Sequence, residues 1–509
     1  MRRHLLTAAS VLTLAVSAGA AQAQKAQDTL RIAVAEPFSS VSGYFYTQRD
    51  SSPFYSSVYQ TLVKYDERTS KIVPELAKSW TRVGDTVIEM ELRDDVVFHG
   101  GNKFDADDIV HNLMWAADPK VKLPFKERYD WVKSVEKLGP AKVRIVTKDV
   151  FATDLLHLAY RLYIFDSKTF KTYANPEEFG QKTPYGSGPY KAVSVDRNRG
   201  TLVERFEQFS GAGAHYRSPI KRIHAVPVPD AQTQIARLLV GEVDAITNVA
   251  PDNAAALKKN PDLRVTPVDS VTVTFFLVDA LGRSGRDELK DARVRKALMM
   301  AIDRDALIKN IIPGGEAAQK IQAMCVKSMI GCAHSVDPVG YDPAAARKLL
   351  AEAGYPDGFD IQMQAHSSVK DIAQAVSGDL RKIGVRASIE VMTIGVMRKK
   401  REGGEYQINL GYYPNALPDS SNAMSMYFGG NRDYAGDPVL REAIQVGEST
   451  HDAAKRNKAF KEAYDRINSE HYMLPISTLP AVYAHSKDVR IEPNRLSVTE
   501  VKIYDWHWN

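Results

Sequence analysis

Ser187, in the run Tyr185-Gly186-Ser187-Gly188-Pro189, is the nearest approach to a nucleophile in this sequence, and its setting is wrong for the task. A serine hydrolase displays its serine on a G-x-S-x-G strand-to-helix turn, and the spacing here does not match. Two S-x-x-K pairs occur, Ser218 with Lys221 and Ser367 with Lys370, but neither has an SDN or KTG companion. Pro219 also opposes the helical turn that would align the first pair. The 12 histidines are scattered, no H-E-x-x-H occurs and no pair stands at i, i+4, so a helical zinc site is not expected. No phosphate-binding glycine loop follows a strand, and His99, beside a strand end, reads as a structural histidine. What remains is the chemistry of recognition. The stretch GYYPNALPDSSNAM, Gly411 to Met424, packs two tyrosines, two prolines, two asparagines and one acid into a segment with neither helical nor strand periodicity.

The elements that would position such groups are legible in part. TLRIAVAE (Thr29 to Glu36) and SVTVTFFLVDA (Ser270 to Ala280) read as strands, and VIEMELRDDVVFHGG reads as two strands broken by an acidic turn. FDADDIVHNLMWA reads as a helix capped by Asp105, with Asp107 and Asp108 complementing its dipole. In DARVRKALMMAIDRDALIKNII, Val294, Ala297, Leu298, Ala301 and Ile302 fall on one helical face, and Asp303 starts a further short helix. Helix, glycine and strand then recur through Gly354 and Gly384, which predicts an α/β region over 290 to 395.

The first 23 residues, with Arg2 and Arg3, an apolar core from Leu5 to Val16 and Ala21-Gln22-Ala23, have the pattern of a cleaved secretory leader. That core is too short to span a bilayer, so an exported, soluble chain is expected, periplasmic in a host with two membranes. Cys325 and Cys332, the only cysteines, are expected to close a small disulfide loop in such a chain, with free thiols the alternative. The formal charge of +5 is small for 509 residues, so nucleic acid is not an expected partner.

Six blocks in order carry a resemblance: Glu75 to Val110, then YGSGPYKA, DAQTQIARLLVGEVDAI, ARVRKALMMAIDRDALI, YDPAAARKLLAEAGYPDGF and LRKIGVRASIE. Together they resemble the family 5 solute-binding proteins of ABC importers. The resemblance implies an α/β, two-lobed periplasmic binding protein fold with an inserted subdomain and two hinge crossings, near Asp269 to Phe275 and Pro475 to Ala484. Residues 24–57, 186–270 and 481–509 would form the core of lobe I, 58–185 its insert and 271–480 lobe II. It further implies a monomeric receptor, with no catalysis, cofactor or metal site of its own, that takes a peptide or peptide-like polar solute into the cleft and delivers it to an inner-membrane permease.

By position in such a fold, Tyr44, Tyr46, Arg49, Asp279, Tyr412, Tyr413, Asn415 and Asp419 are the expected ligand contacts. Tyrosines offer flat surface, Arg49 a carboxylate clamp, and Pro414 and Pro418 stiffen the loop that presents Asn415. Peptide-binding relatives carry an aspartate for the peptide ammonium where Pro414 stands here, which lowers the expectation of a free-amine peptide. Two alternatives remain: a nickel or metallophore receptor, using His366, Met363, Met424 and Met426, and a hydrolase on the same scaffold at Ser187.

Overall fold

The computed structural model describes residues 27–45, 49–66, 69–211, 219–414, 417–492 and 502–509. The leader, Tyr46, Asn415 and Ser218 lie outside the described residues. Thr29–Val34 pairs in parallel with Arg222–Pro227, from Thr29 opposite Arg222 to Val34 opposite Pro227. Around it grows a seven-stranded sheet, in the order 190–196, 200–205, 222–227, 29–34, 245–247, 481–486, 263–268. A second, five-stranded sheet runs 386–392, 360–366, 408–413, 273–278, 473–478. Each sheet is the centre of one lobe.

Val273–Val278 is buried at every position, as an apolar run must be when both faces of a strand are covered. The chain passes between the two sheets at 269–272 and returns at 479–480, and the two crossings are bonded together. The Leu479 amide donates to the Thr272 carbonyl at 2.7 Å, and Ser270 Oγ donates to the Leu479 carbonyl at 2.8 Å.

A four-stranded antiparallel sheet, in the order 77–82, 87–92, 142–147, 132–139, lies on helix Ala106–Ala117 in the first lobe. Asp105 caps that helix and Asp108 completes the capping box. Only one ladder strand, Val87–Leu92, forms in VIEMELRDDVVFHGG, because Val97 makes a single bridge to Lys103 after the turn. The insert shares its apolar core with the main sheet, so Ile88 and Ile145 belong to one cluster with Leu30 and Ile32. No helix among the described residues is long and apolar enough to cross a membrane.

The second lobe follows the helical stripe closely. Val294, Ala297, Leu298, Ala301 and Ile302 are all buried, and Asp303 caps Arg304–Asn310. Gly384 ends its helix at φ +89°, and a Cβ at Gly358 would lie 2.0 Å from the Gly384 carbonyl oxygen, so the turn into the edge strand demands glycine twice. Cys325 and Cys332 are bonded. The loop they close touches the first lobe, where Tyr65 donates to the Ser328 carbonyl at 3.0 Å.

Asp419 has a task other than ligand contact. It is fully buried, accepts two bonds from Arg456 Nη2 at 2.7 and 2.8 Å, and caps Ser420–Phe428 through the Ser421 amide. A buried pair holds only while both members are present. Replacing Arg456 with alanine is therefore expected to cost about 3 to 5 kcal/mol in urea unfolding, by leaving a buried carboxylate uncompensated. A loss under 1 kcal/mol, on the order of a surface pair, would contradict this.

Burial holds His99, His111 and His471 down to about 4 and His157 to about 3. In the unfolded chain each returns to near 6.5. Between those values the unfolded state binds more protons, so stability is full above about pH 6.5 and falls as pH drops toward 4. Urea unfolding at pH 7, 5.5 and 4.5 should show that decline, and His157→Gln should flatten it.

Candidate ligand-binding cleft

Tyr413 ends the strand Ile408–Tyr413 opposite Val273, beside the crossing between lobes. Gly411 lets this strand approach its neighbour, since a Cβ there would lie 2.3 Å from the Phe275 ring. The Tyr413 ring stands edge-on to Tyr427 at 5.7 Å, and Tyr427 in turn is edge-on to Phe275 at 4.7 Å. Tyr412, on the opposite face by strand alternation, is half-buried with its ring 5.0 Å from that of His366. Burial raises the Tyr413 hydroxyl far above its ordinary value, and Tyr427 adds to this. The positive charges of Arg161 and Arg128, both of the first lobe, act the other way.

Arg128 closes the short turn Lys126–Arg128, and Arg161 follows the helix Asp154–Tyr160. The carbonyl of Arg128 accepts from the Trp131 indole at 3.0 Å and lies 3.2 Å from His157 Nδ1. His157 Nδ1–H donates there in either protonation state, and burial, then the charge of Arg161, holds the ring neutral, which avoids a third charge beside two arginines. The Arg128 guanidinium lies 4.0 Å from the centre of the Phe125 ring. Desolvation, and then the charge of Arg161, push its pKa down to about 10.

From the second lobe, Arg398 approaches the same Phe125 ring at 5.9 Å. Arg401 lies over Tyr427 at 5.1 Å, and Arg432 is nearby. The rims of the two lobes also meet: the Ala152 amide donates to the Glu448 carbonyl at 3.3 Å, and His451 Nε2 lies 3.1 Å from the Asp85 carbonyl. Near the crossing, the second lobe thus offers tyrosines and arginines, and the first offers Phe125 and arginines.

Three expected contacts fall elsewhere. Tyr44 is a core residue whose hydroxyl donates to the Tyr163 carbonyl at 2.8 Å amid Trp115, Tyr129 and Phe165. Asp279 accepts from the Ser284 amide and hydroxyl, both at 2.7 Å, and closes a turn. It lies six residues along the strand from Val273, roughly 20 Å from Tyr413. Asp419 is spent on Arg456. Arg49 begins the short turn Arg49–Ser51. Of the soft donors, Met363 and Met424 are buried packing, while Met426 faces Arg401. Ser187 is buried, and its hydroxyl has no hydrogen-bond partner among the described residues. Arg128, Arg161, Arg401, Arg432, Phe125 and Tyr427 carry no sequence signal beyond charge or aromaticity. An arginine within three residues of an aromatic, as in PFKERYDW, was the one available hint.

The model of the bacterial extracellular solute-binding proteins, family 5, matches residues 71–435. The glutathione-binding protein GsiB of Salmonella typhimurium is 27% identical over 94% of each chain. Among solved structures, NikA of Brucella suis in complex with Fe(III)-EDTA superposes with a TM-score of 0.82 at 21% identity, covering 94% of this chain and 100% of that one. DppA of Helicobacter pylori in complex with the peptide STSA gives 0.75 at 21% identity, covering 95% and 99%. With its two sheets and paired crossings, and a family model matched over 71–435, the chain belongs to the family 5 bacterial extracellular solute-binding proteins.

Proposed function

We propose that this chain is the ligand receptor of an ABC importer, exported by its leader to the periplasm. It closes two lobes around a small peptide-like solute and presents the closed form, as a monomer and without turnover, to permease subunits in the inner membrane. The observation that carries this reading is the Phe125 ring of the first lobe, flanked by Arg128 of the same lobe at 4.0 Å and by Arg398 of the other at 5.9 Å, with Tyr413 and Tyr427 on the second lobe. A solute between them is gripped from both sides, and only contacts made in the closed state shift the lobes toward closure. The glutathione and peptide ligands of the relatives support a peptide-like class. The arginines disfavour a free α-ammonium beside Tyr413, in keeping with Pro414 standing where an acid would serve it.

A metallophore reading has one observation in its favour: guanidinium groups suit the carboxylates of a chelate, and Fe(III)-EDTA occupies NikA. Calorimetry with nickel, with and without histidine, separates it from the first reading.

Small-angle scattering and calorimetry across glutathione, short peptides, opine-type conjugates and glycans test the proposal. At least one class should bind and contract the particle. Tyr413→Ala should weaken that solute by about tenfold or more, as expected for an aromatic at the centre of an interface. An unchanged scattering curve and no heat across the whole panel would overturn the reading.

A further inference from the structure

Arg401 and Arg432 converge on one atom. Nη2 of Arg401 lies 3.3 Å from the sulfur of Met426, and Nη1 of Arg432 lies 3.5 Å from it. A thioether is a weak acceptor and brings no charge, so it does not neutralise two guanidinium groups. Arg401 is only 8% exposed, and its Nε and that of Arg432 are buried without a hydrogen-bond partner among the described residues. Burial lowers the pKa of Arg432, and the charges of Arg401 and Arg398 lower it further, while Glu402 and Glu127 act the other way without bonding to it. Across the cleft, the Phe125 ring is bracketed by Arg128 at 4.0 Å and Arg398 at 5.9 Å. Charges so placed repel one another, and Arg401 and Arg432 have given up hydration for a thioether and, for Arg401, the uncharged Tyr427, neither of which supplies a counter-charge. An incoming carboxylate would relieve both costs, because a guanidinium presents paired donors in a fork that fits its two oxygens. Met426, unbranched and adaptable, is the side chain that can withdraw to admit it.

We propose that Arg401 and Arg432 form an anion subsite, and that the cleft takes a small acid carrying at least two carboxylates. One is held by this pair on the second lobe and another by Arg128 on the first. Bridging by a di-acid then couples charge neutralisation to closure, since neither lobe alone satisfies both ends. This rests on the reading of the cleft as the ligand site.

The test uses the full mature chain with citrate, glutathione and the uncharged-overall dipeptide Met-Leu, each at matched ionic strength. Melting curves and calorimetry are recorded for the native protein, Arg432→Gln and Arg401→Gln. Arg432 is half-buried, so its variant covers the case in which Arg401→Gln fails to fold. Citrate or glutathione should raise the melting temperature beyond matched sodium chloride, bind more weakly as salt rises, and lose about tenfold or more in affinity in Arg432→Gln. Fe(III)-EDTA against metal-free EDTA separates a chelate from an organic acid within the same class. Equal affinity in both variants, or neither acid binding better than chloride, would overturn the proposal. Met-Leu bound more tightly than the acids, with lobe closure, would overturn it too while leaving the receptor reading intact. Silence from every solute would remove both.

Discussion

Ser270, Thr272 and Leu479 are joined by two hydrogen bonds, and both covalent connections between the lobes pass through that small knot. Two separate crossings would leave the lobes free to twist against each other. Bonded side by side, they form a ribbon, a geometry that favours bending over twisting. The ribbon continues into Val273–Val278, whose position in the middle of the second sheet locks the crossing to a rigid body. Tyr413 sits opposite Val273, at the first paired position of this strand. The recognition surface proposed around Tyr413 therefore lies close to the axis, where a small rotation would keep its geometry while the distant rims travel furthest.

Electrostatics gives that geometry its chemistry. Much of the protein pairs its charges: Arg31 with Asp244, Arg82 with Asp154, Arg466 with Asp437. Around the cleft the pattern changes, and arginines lean on rings and a thioether. Aromatic faces stabilise a cation by about 0.5 to 2 kcal/mol, too little to replace a desolvated counter-ion. That imbalance is what the proposed site would offer a negatively charged solute. The neutral His157 shows the same design, holding the Arg128 turn without adding to the positive field.

The lobes were readable from sequence because their elements obey local rules. The stripe from Val294 to Ile302, the caps at Asp105 and Asp303, and the glycines at 354 and 384 each follow from periodicity or backbone geometry, and each is present. The disulfide followed from compartment and count. The cleft was less readable, since a side chain's destination is set by tertiary packing. Tyr44 and Asp279 have the right chemistry but spend it on a backbone carbonyl and on a turn. Asp419 found Arg456, 37 residues away, a pairing that no local pattern announces. Arg128 and Arg432 are 304 positions apart, and on paper each is an ordinary surface charge.

Leu417 and Ile330 belong by sequence to the second lobe, yet both pack into the apolar cluster of the first. Parting the lobes would expose them to solvent, at about 1.5 to 3 kcal/mol for each side chain fully uncovered. The vacant molecule is thereby drawn toward its shut form before any guest enters. The free energy of closure then depends partly on the hydration of two aliphatic groups, a contribution that weakens in the cold.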